Sequence, residues 1–179
     1  IGILWVLICL MNINCSNSKT VVTNEGSGKC EYLENTKDEF TGAYKKSTWS
    51  KFLREFTGNN ANVIFQKIDS IYVLKFNYSF QYAKAVVVGE TDPLMLKFDN
   101  DSVINLYPDE IYTAERTTLY GITTTQIAPR YDCPKEVMQL ISKNNIVKVR
   151  FYFNDVYNEH IVEDKYKNSI KEAAKCLLN

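Results

Sequence analysis

The sequence predicts an α+β fold: an antiparallel sheet of about six to eight hairpin-connected strands, two or three helices packed on it, and a helix last. Three observations carry that expectation. Runs rich in β-branched and aromatic residues are separated by short turns of Asn, Asp and Gly. A few segments show helical rather than alternating periodicity. Strands and helices do not alternate in the regular way that a parallel sheet demands.

Taken in order, the folded part begins near "DEFTGAYKKSTWSKFLREF". Ser47 or Thr48 suits the cap of a short helix, with Trp49, Phe52, Leu53 and Phe56 at i, i+3, i+4 and i+7 facing the core. "TGNNAN" breaks the chain, and "IYVLKFNYSF" reads as a strand reaching Phe80. "AKAVVV" is a further strand, closed by Gly89 and "GETDP". Next comes the clearest hairpin, "PLMLKFDNDSVINLYP", in which Leu94, Leu96 and Phe98 alternate with Met95 and Lys97. Asp and Asn tolerate the left-handed backbone of a tight turn, so "DND" suits the bend. A calcium loop would need a Gly at its bend and oxygen ligands at alternate positions, and here Val103, Ile104 and Leu106 fill the middle.

"EIYTAERTTLYGITTTQIAP" holds one or two Thr-rich strands. "YDCPKEVMQLISKNN" is a helix opened by Pro134, with Glu136 in its first turn and Val137, Leu140 and Ile141 on the buried stripe. "IVKVRFYF", the turn "ND" and "VYNEHIV" form a second hairpin, with Val147, Val149, Phe151 and Phe153 on one face. The closing helix, "EDKYKNSIKEAAKCLL", turns Tyr166, Ile170, Ala173 or Ala174, and Leu177 inward.

Ahead of this domain lies "IGILWVLICLMNINCSNSK". Its apolar run would be helical for about 15–20 Å, too short to cross a hydrocarbon core about 30 Å thick and suited to a signal peptide. No Met and no basic residue precede it, so a leader truncated at its start is expected. The expected organisation is a lipoprotein-like signal peptide over 1–15, a flexible polar tether over 16–37, and one domain over 38–179. Cys15 sits where the apolar run ends, as in bacterial lipoproteins acylated after cleavage. Asn12 and Asn14 depart from the usual Leu and small residue at those positions, and plain secretion with cleavage near Ser16 or Ser18 is the competing outcome. The expected location is therefore exported: periplasm or an outer-membrane or cell-surface lipoprotein, or else secreted.

Lysines and arginines number 21 and acidic residues 21, which leaves no basic excess for neutralising phosphates and argues against a nucleic-acid partner. After Cys15 there remain Cys30, Cys133 and Cys176. One bridge can form, Cys133 with Cys176 is the expected pair because both flank helices, and separate buried thiols are the alternative. No cysteine–histidine spacing suits zinc, and no glycine cluster suits a nucleotide, so no metal or cofactor is expected. His160 is the only histidine, and no GxSxG or HExxH pattern accompanies it. On a strand it shares a face with Asn158 while Glu159 points the other way. The acidic neighbours Asp109 with Glu110 and Glu163 with Asp164 likewise diverge, and no catalytic residue is assigned. With 12 Tyr and 9 Phe, a tyrosine-lined sugar or peptide groove is one expectation, and a β-rich core with tyrosines at its surface is the plainer one.

"DEFTG", "DPLMLKFDNDSVINLY" and "NIVKVRFYFNDVYNEHIVEDKYKNSIKEAAKCL" together resemble a group of small exported or lipid-anchored proteins of the Bacteroidota. The likeness is one of layout, from about Asp38 onward, and none of the three stretches is a chemical motif. It implies export and the domain boundary, and carries over no activity or catalytic residue. The function expected is a non-catalytic binding or structural module in the cell envelope, held by a lipid anchor and facing a protein or saccharide partner. A carbohydrate- or peptide-binding module and, after it, a hydrolase are the alternatives.

Overall fold

The computed structural model describes residues 30–54, 59–81 and 85–179. In chain order its elements are β1 (Glu34–Lys37), β2 (Tyr44–Arg54), β3 (Asn60–Ile68), β4 (Ile71–Phe80), β5 (Val87–Val88), β6 (Leu94–Phe98) and β7 (Val103–Leu106), then β8 (Tyr112–Thr113), β9 (Glu115–Leu119), β10 (Ile122–Ile127) and β11 (Arg130–Asp132), and finally α1 (Lys135–Lys143), β12 (Ile146–Phe153), β13 (Val156–Ile161) and α2 (Asp164–Leu178). The antiparallel, mostly β character and the closing helix are as expected. The strands do not form one sheet. One sheet runs β1-β2-β3-β4-β10-β9, with β11 pairing the first half of β4; a second runs β13-β12-β6-β7; β5 and β8 pair by themselves. The helices among the described residues are two.

The expected helix over Trp49–Phe56 is corrected: Trp49, Phe52 and Leu53 lie in β2, and Phe56 falls outside the described residues. β2 pairs with β3 from Lys45↔Ile68 to Arg54↔Asn60, and a register shift between Lys51 and Leu53 accompanies full burial of Phe52 while Trp49 on the other face is 44% exposed. The alternation is masked in the sequence because two inward residues of β2 are polar. Thr48 donates its hydroxyl to the Ala173 carbonyl at 2.8 Å, and the Ser50 and Ser169 hydroxyls meet at 2.7 Å. With Ala173 and Ala174 buried on α2, small side chains on both elements let helix and sheet approach closely, and each buried hydroxyl finds a partner.

An aromatic seam joins the two larger sheets. Phe76 and Tyr78 of β4 meet Phe151 of β12 at ring-centroid distances of 5.0 and 4.8 Å, and Phe52 stands edge-on to Phe76 at 5.7 Å. Such pairs add to the burial term that drives the packing. Met138 and Ile141 of α1 and Ile170 and Leu177 of α2 close the core.

Residues 30–37, expected in the tether, belong to the fold. β1 pairs with β2 from Glu34↔Ser47 to Lys37↔Tyr44, Leu33 N–H donates to the Ser47 carbonyl at 2.8 Å, and the Tyr32 hydroxyl donates to the Cys176 carbonyl at 3.1 Å. The expected Cys133–Cys176 bridge is also corrected. Cys176 is bonded to Cys30, 146 positions away, and Cys133 is a free thiol buried in the core. Burial in apolar surroundings pushes that thiol up to about 12.

Candidate binding surface

The second sheet presents its clearest constellation on the face turned away from the core. Strand alternation sends Val149 and Phe151 of β12 inward, and Lys148, Arg150 and Tyr152 outward. Register then builds rows across the four strands. Val103, Lys97, Lys148 and Ile161 form one row, Asn105, Met95, Arg150 and Glu159 the next, and Tyr152 stands opposite Tyr157.

Glu159 ties the centre together. Its Oε1 accepts from Lys148 Nζ at 2.8 Å, and its Oε2 accepts from Arg150 Nε at 3.0 Å and Nη2 at 2.6 Å. These bonds hold the Glu159 carboxyl below its ordinary value, and the same carboxylate holds the Arg150 guanidinium above its own. The Arg150 guanidinium carbon also lies 4.7 Å from the centre of the Tyr157 ring, a cation–π distance. The result is a preorganised patch of ring face and fixed N–H donors, flanked by exposed Tyr157, Val103 and Ile161. Chemically it suits recognition of a polar, partly planar ligand such as a sugar or an extended peptide.

A flat tyrosine platform is not formed here. Tyr152 and Tyr157 lie 5.9 Å apart with planes tilted by 56°. The other exposed tyrosines are scattered: Tyr44 on β2, Tyr107 beyond β7 and Tyr120 in the β9–β10 turn.

His160 shares the inward face with Asn158, as the alternation implied, and its ring stacks on Phe151 at 5.7 Å with planes 16° apart. Glu159 projects to the opposite face, Asp155 sits in the β12–β13 turn at φ 61°, and Asp164 pairs with Lys167 at 2.6 Å. His160 and these three carboxylates do not converge. Asp109 accepts from the Tyr112 hydroxyl and lies 3.7 Å from Arg130 Nε, while Glu163 pairs with Lys165 at 2.6 Å. The "DNDS" segment is a turn: Asn100 Oδ1 accepts from Ser102 N at 3.1 Å and Ser102 Oγ at 2.6 Å, and Asp101 takes φ 64°. Among the described residues no group of His, Cys, Asp and Glu could hold a metal ion, and no helix is long and apolar enough to cross a membrane. Cys15 lies outside the described residues.

Sequence reasoning put Val149 and Phe151 on one face of their strand, which leaves Arg150 on the other, but did not pair Arg150 with Glu159. The signal was present, because a two-residue Asn154-Asp155 turn sets Arg150 opposite Glu159 by register alone. No comparable signal marked Cys30.

The fold is an α+β domain of packed antiparallel sheets closed by a C-terminal helix. Comparisons with protein families, with curated proteins and with solved structures return no match.

Proposed function

We propose that this is an exported protein of the cell envelope, held at a membrane through acylated Cys15, whose domain binds a saccharide or peptide partner on the Arg150–Tyr157 face. The observation that carries export is the Cys30–Cys176 disulfide. Reducing cytosolic pools keep such thiols apart, whereas disulfides persist beyond the inner membrane. The short apolar leader and the likeness to exported Bacteroidota proteins point the same way.

Two measurements test the reading. Cells expressing the full gene are fractionated and the protein's peptides are weighed without reduction. An N-terminal peptide starting at an acylated Cys15, with Cys30 joined to Cys176, is the expected result; cleavage at Ser16 or Ser18 would replace the anchor by secretion. Recovery from the cytosol with Trp5 retained and both thiols free would overturn export. Binding is followed by NMR titration with soluble peptidoglycan fragments, oligosaccharides and peptides. Shifts gathered on Arg150, Tyr152 and Tyr157 are expected, and a ligand whose shifts fall on another face would refute the assignment of the surface.

A further inference from the structure

We propose that the tip of the β9–β10 hairpin is a second membrane contact, in which Leu119, Tyr120 and Ile122 dip into the interfacial layer of a lipid surface; the proposal rests on the membrane-tethered reading above for its location only. β10 pairs with β4 only from Thr125↔Phe80 to Ile127↔Tyr78, whereas it pairs with β9 all the way to Ile122↔Leu119. Among the described residues the distal part is therefore a two-stranded ribbon extending past the Thr125↔Phe80 pair. At its turn Leu119 is 65% exposed, Ile122 57%, and Tyr120 fully exposed.

Tyr120 holds φ 50° and Gly121 φ 79°. Among the described residues the other non-glycine positions with positive φ are Asp69, Asp101, Asn154 and Asp155, the types that tolerate a left-handed backbone. A fully exposed tyrosine in that conformation adds no packing to the fold and carries a conformational cost, which points to a role outside it.

The occupant follows from charge and size. In a chain that is 23% charged, the stretch from Thr117 to Pro129 carries no charged residue, and Arg116 and Arg130 stand at its ends. The ribbon's collar is threonine, with the Thr118 and Thr123 hydroxyls bonded to one another at 3.0 Å. Three projecting side chains fall far short of the roughly 20–30 residues a side of a stable protein interface. They are enough for a shallow contact with a lipid interface, where binding scales with the apolar area buried and needs no fitted partner surface. Tyrosine suits the boundary, being apolar in body and polar at its tip. Among the described residues the outer edge of β9 pairs with no other strand, which suits the ribbon to the headgroup zone, where its backbone groups stay hydrated.

The test uses the full chain carrying Trp5→Phe, Trp49→Phe and Tyr120→Trp, with Cys15 intact or changed to Ser, added to phosphatidylethanolamine–phosphatidylglycerol vesicles. The single tryptophan then reports from the hairpin tip. The expected result is a blue-shifted emission quenched by lipids brominated near the headgroup. Leu119→Ser and Ile122→Ser should each weaken partitioning of the Cys15→Ser protein by about tenfold. Tyr120→Asn should melt no lower than the parent, which excludes unfolding as the cause of lost contact. A shift that survives Cys15→Ser supports the tip even where the anchor reading fails. Protein bound to vesicles with unshifted, unquenched tryptophan emission overturns the tip and leaves the anchor standing, and absence of any response from that tryptophan in both forms overturns it as well.

Discussion

Reducing the Cys30–Cys176 bond, or replacing both residues by Ala, is expected to cost several kcal/mol without abolishing the fold. The bond closes a loop across 146 positions. Chain-entropy bookkeeping puts the stabilisation from such a loop at about 5 kcal/mol, and measured disulfides typically deliver about 2–4. The lower range is the better expectation, because β1 stays paired to β2 and the Tyr32 hydroxyl stays within reach of the Cys176 carbonyl when the sulfurs part. For a domain of this size a loss of about 3 kcal/mol lowers the melting temperature by about 10 °C. The assay is thermal unfolding followed by circular dichroism, with and without a phosphine reductant, on the parent and the Cys30→Ala/Cys176→Ala protein. The reductant should lower the first and leave the second unmoved. A parent that melts within about 2 °C of its reduced form would mean that the native loop is not closed, and the main support for export would go with it.

Thr48→Val should cost about 1 kcal/mol in urea unfolding, since it keeps the volume and loses the buried hydroxyl's bond to the Ala173 carbonyl. Cys133, its thiol pushed up to about 12 by burial, should resist alkylation in the native protein at mildly alkaline pH and react on unfolding, as read by the mass of its peptide. Acid should act through carboxylates whose folded values lie below their ordinary ones: Asp38, held by the Thr41 and Phe40 N–H groups and the Thr41 hydroxyl, Glu159, held by Lys148 and Arg150, and Asp164, held by Lys167. Depressed values stabilise the fold above the unfolded-state range and lose that contribution as pH falls through them. The melting temperature should thus hold steady down to about pH 5 and fall below about pH 4, less steeply in the Asp38→Asn/Glu159→Gln/Asp164→Asn protein.

Much of the layout was legible where local chemistry decides local shape. The two hairpin turns read from "DND" and "ND" carry left-handed Asp101, Asn154 and Asp155, and α2 buries its stripe as expected, whereas α1 buries Met138 with Ile141 and leaves Val137 and Leu140 half-buried. β2 was illegible for a physical reason. Its inward positions Thr48 and Ser50 bury hydroxyls against α2, so the hydrophobic signal that survived, Trp49, Phe52 and Leu53, happened to fit a helix. Pairing with β3 on one side and β1 on the other then outweighed a short stripe of helical spacing. The disulfide was illegible because its partners meet only once β1 and α2 have both been laid along β2, and nothing near Cys30 announces that meeting. The Arg150–Glu159 contact was the reverse case, fixed by turn length and left unread.

The placement of the bond bears on what a tethered domain must withstand. In the anchored reading, force from the membrane enters the described fold at Cys30. Without the bond it would fall on the Tyr32–Cys176 and Leu33–Ser47 hydrogen bonds and then on the four pairs of β1, which lies at the edge of the sheet among the described residues and can be peeled one pair at a time. With it, the load passes directly into α2. That helix is held to β2 along its length by Ser169 at one level and Ala173 at another, and to the core by Ile170 and Leu177. These contacts must yield together, which makes the domain cooperative where a bare edge strand would fray. A covalent tie at the first turn into the fold is thus what a domain hung from its N-terminal side requires. An edge strand of four residues supplies no substitute for it.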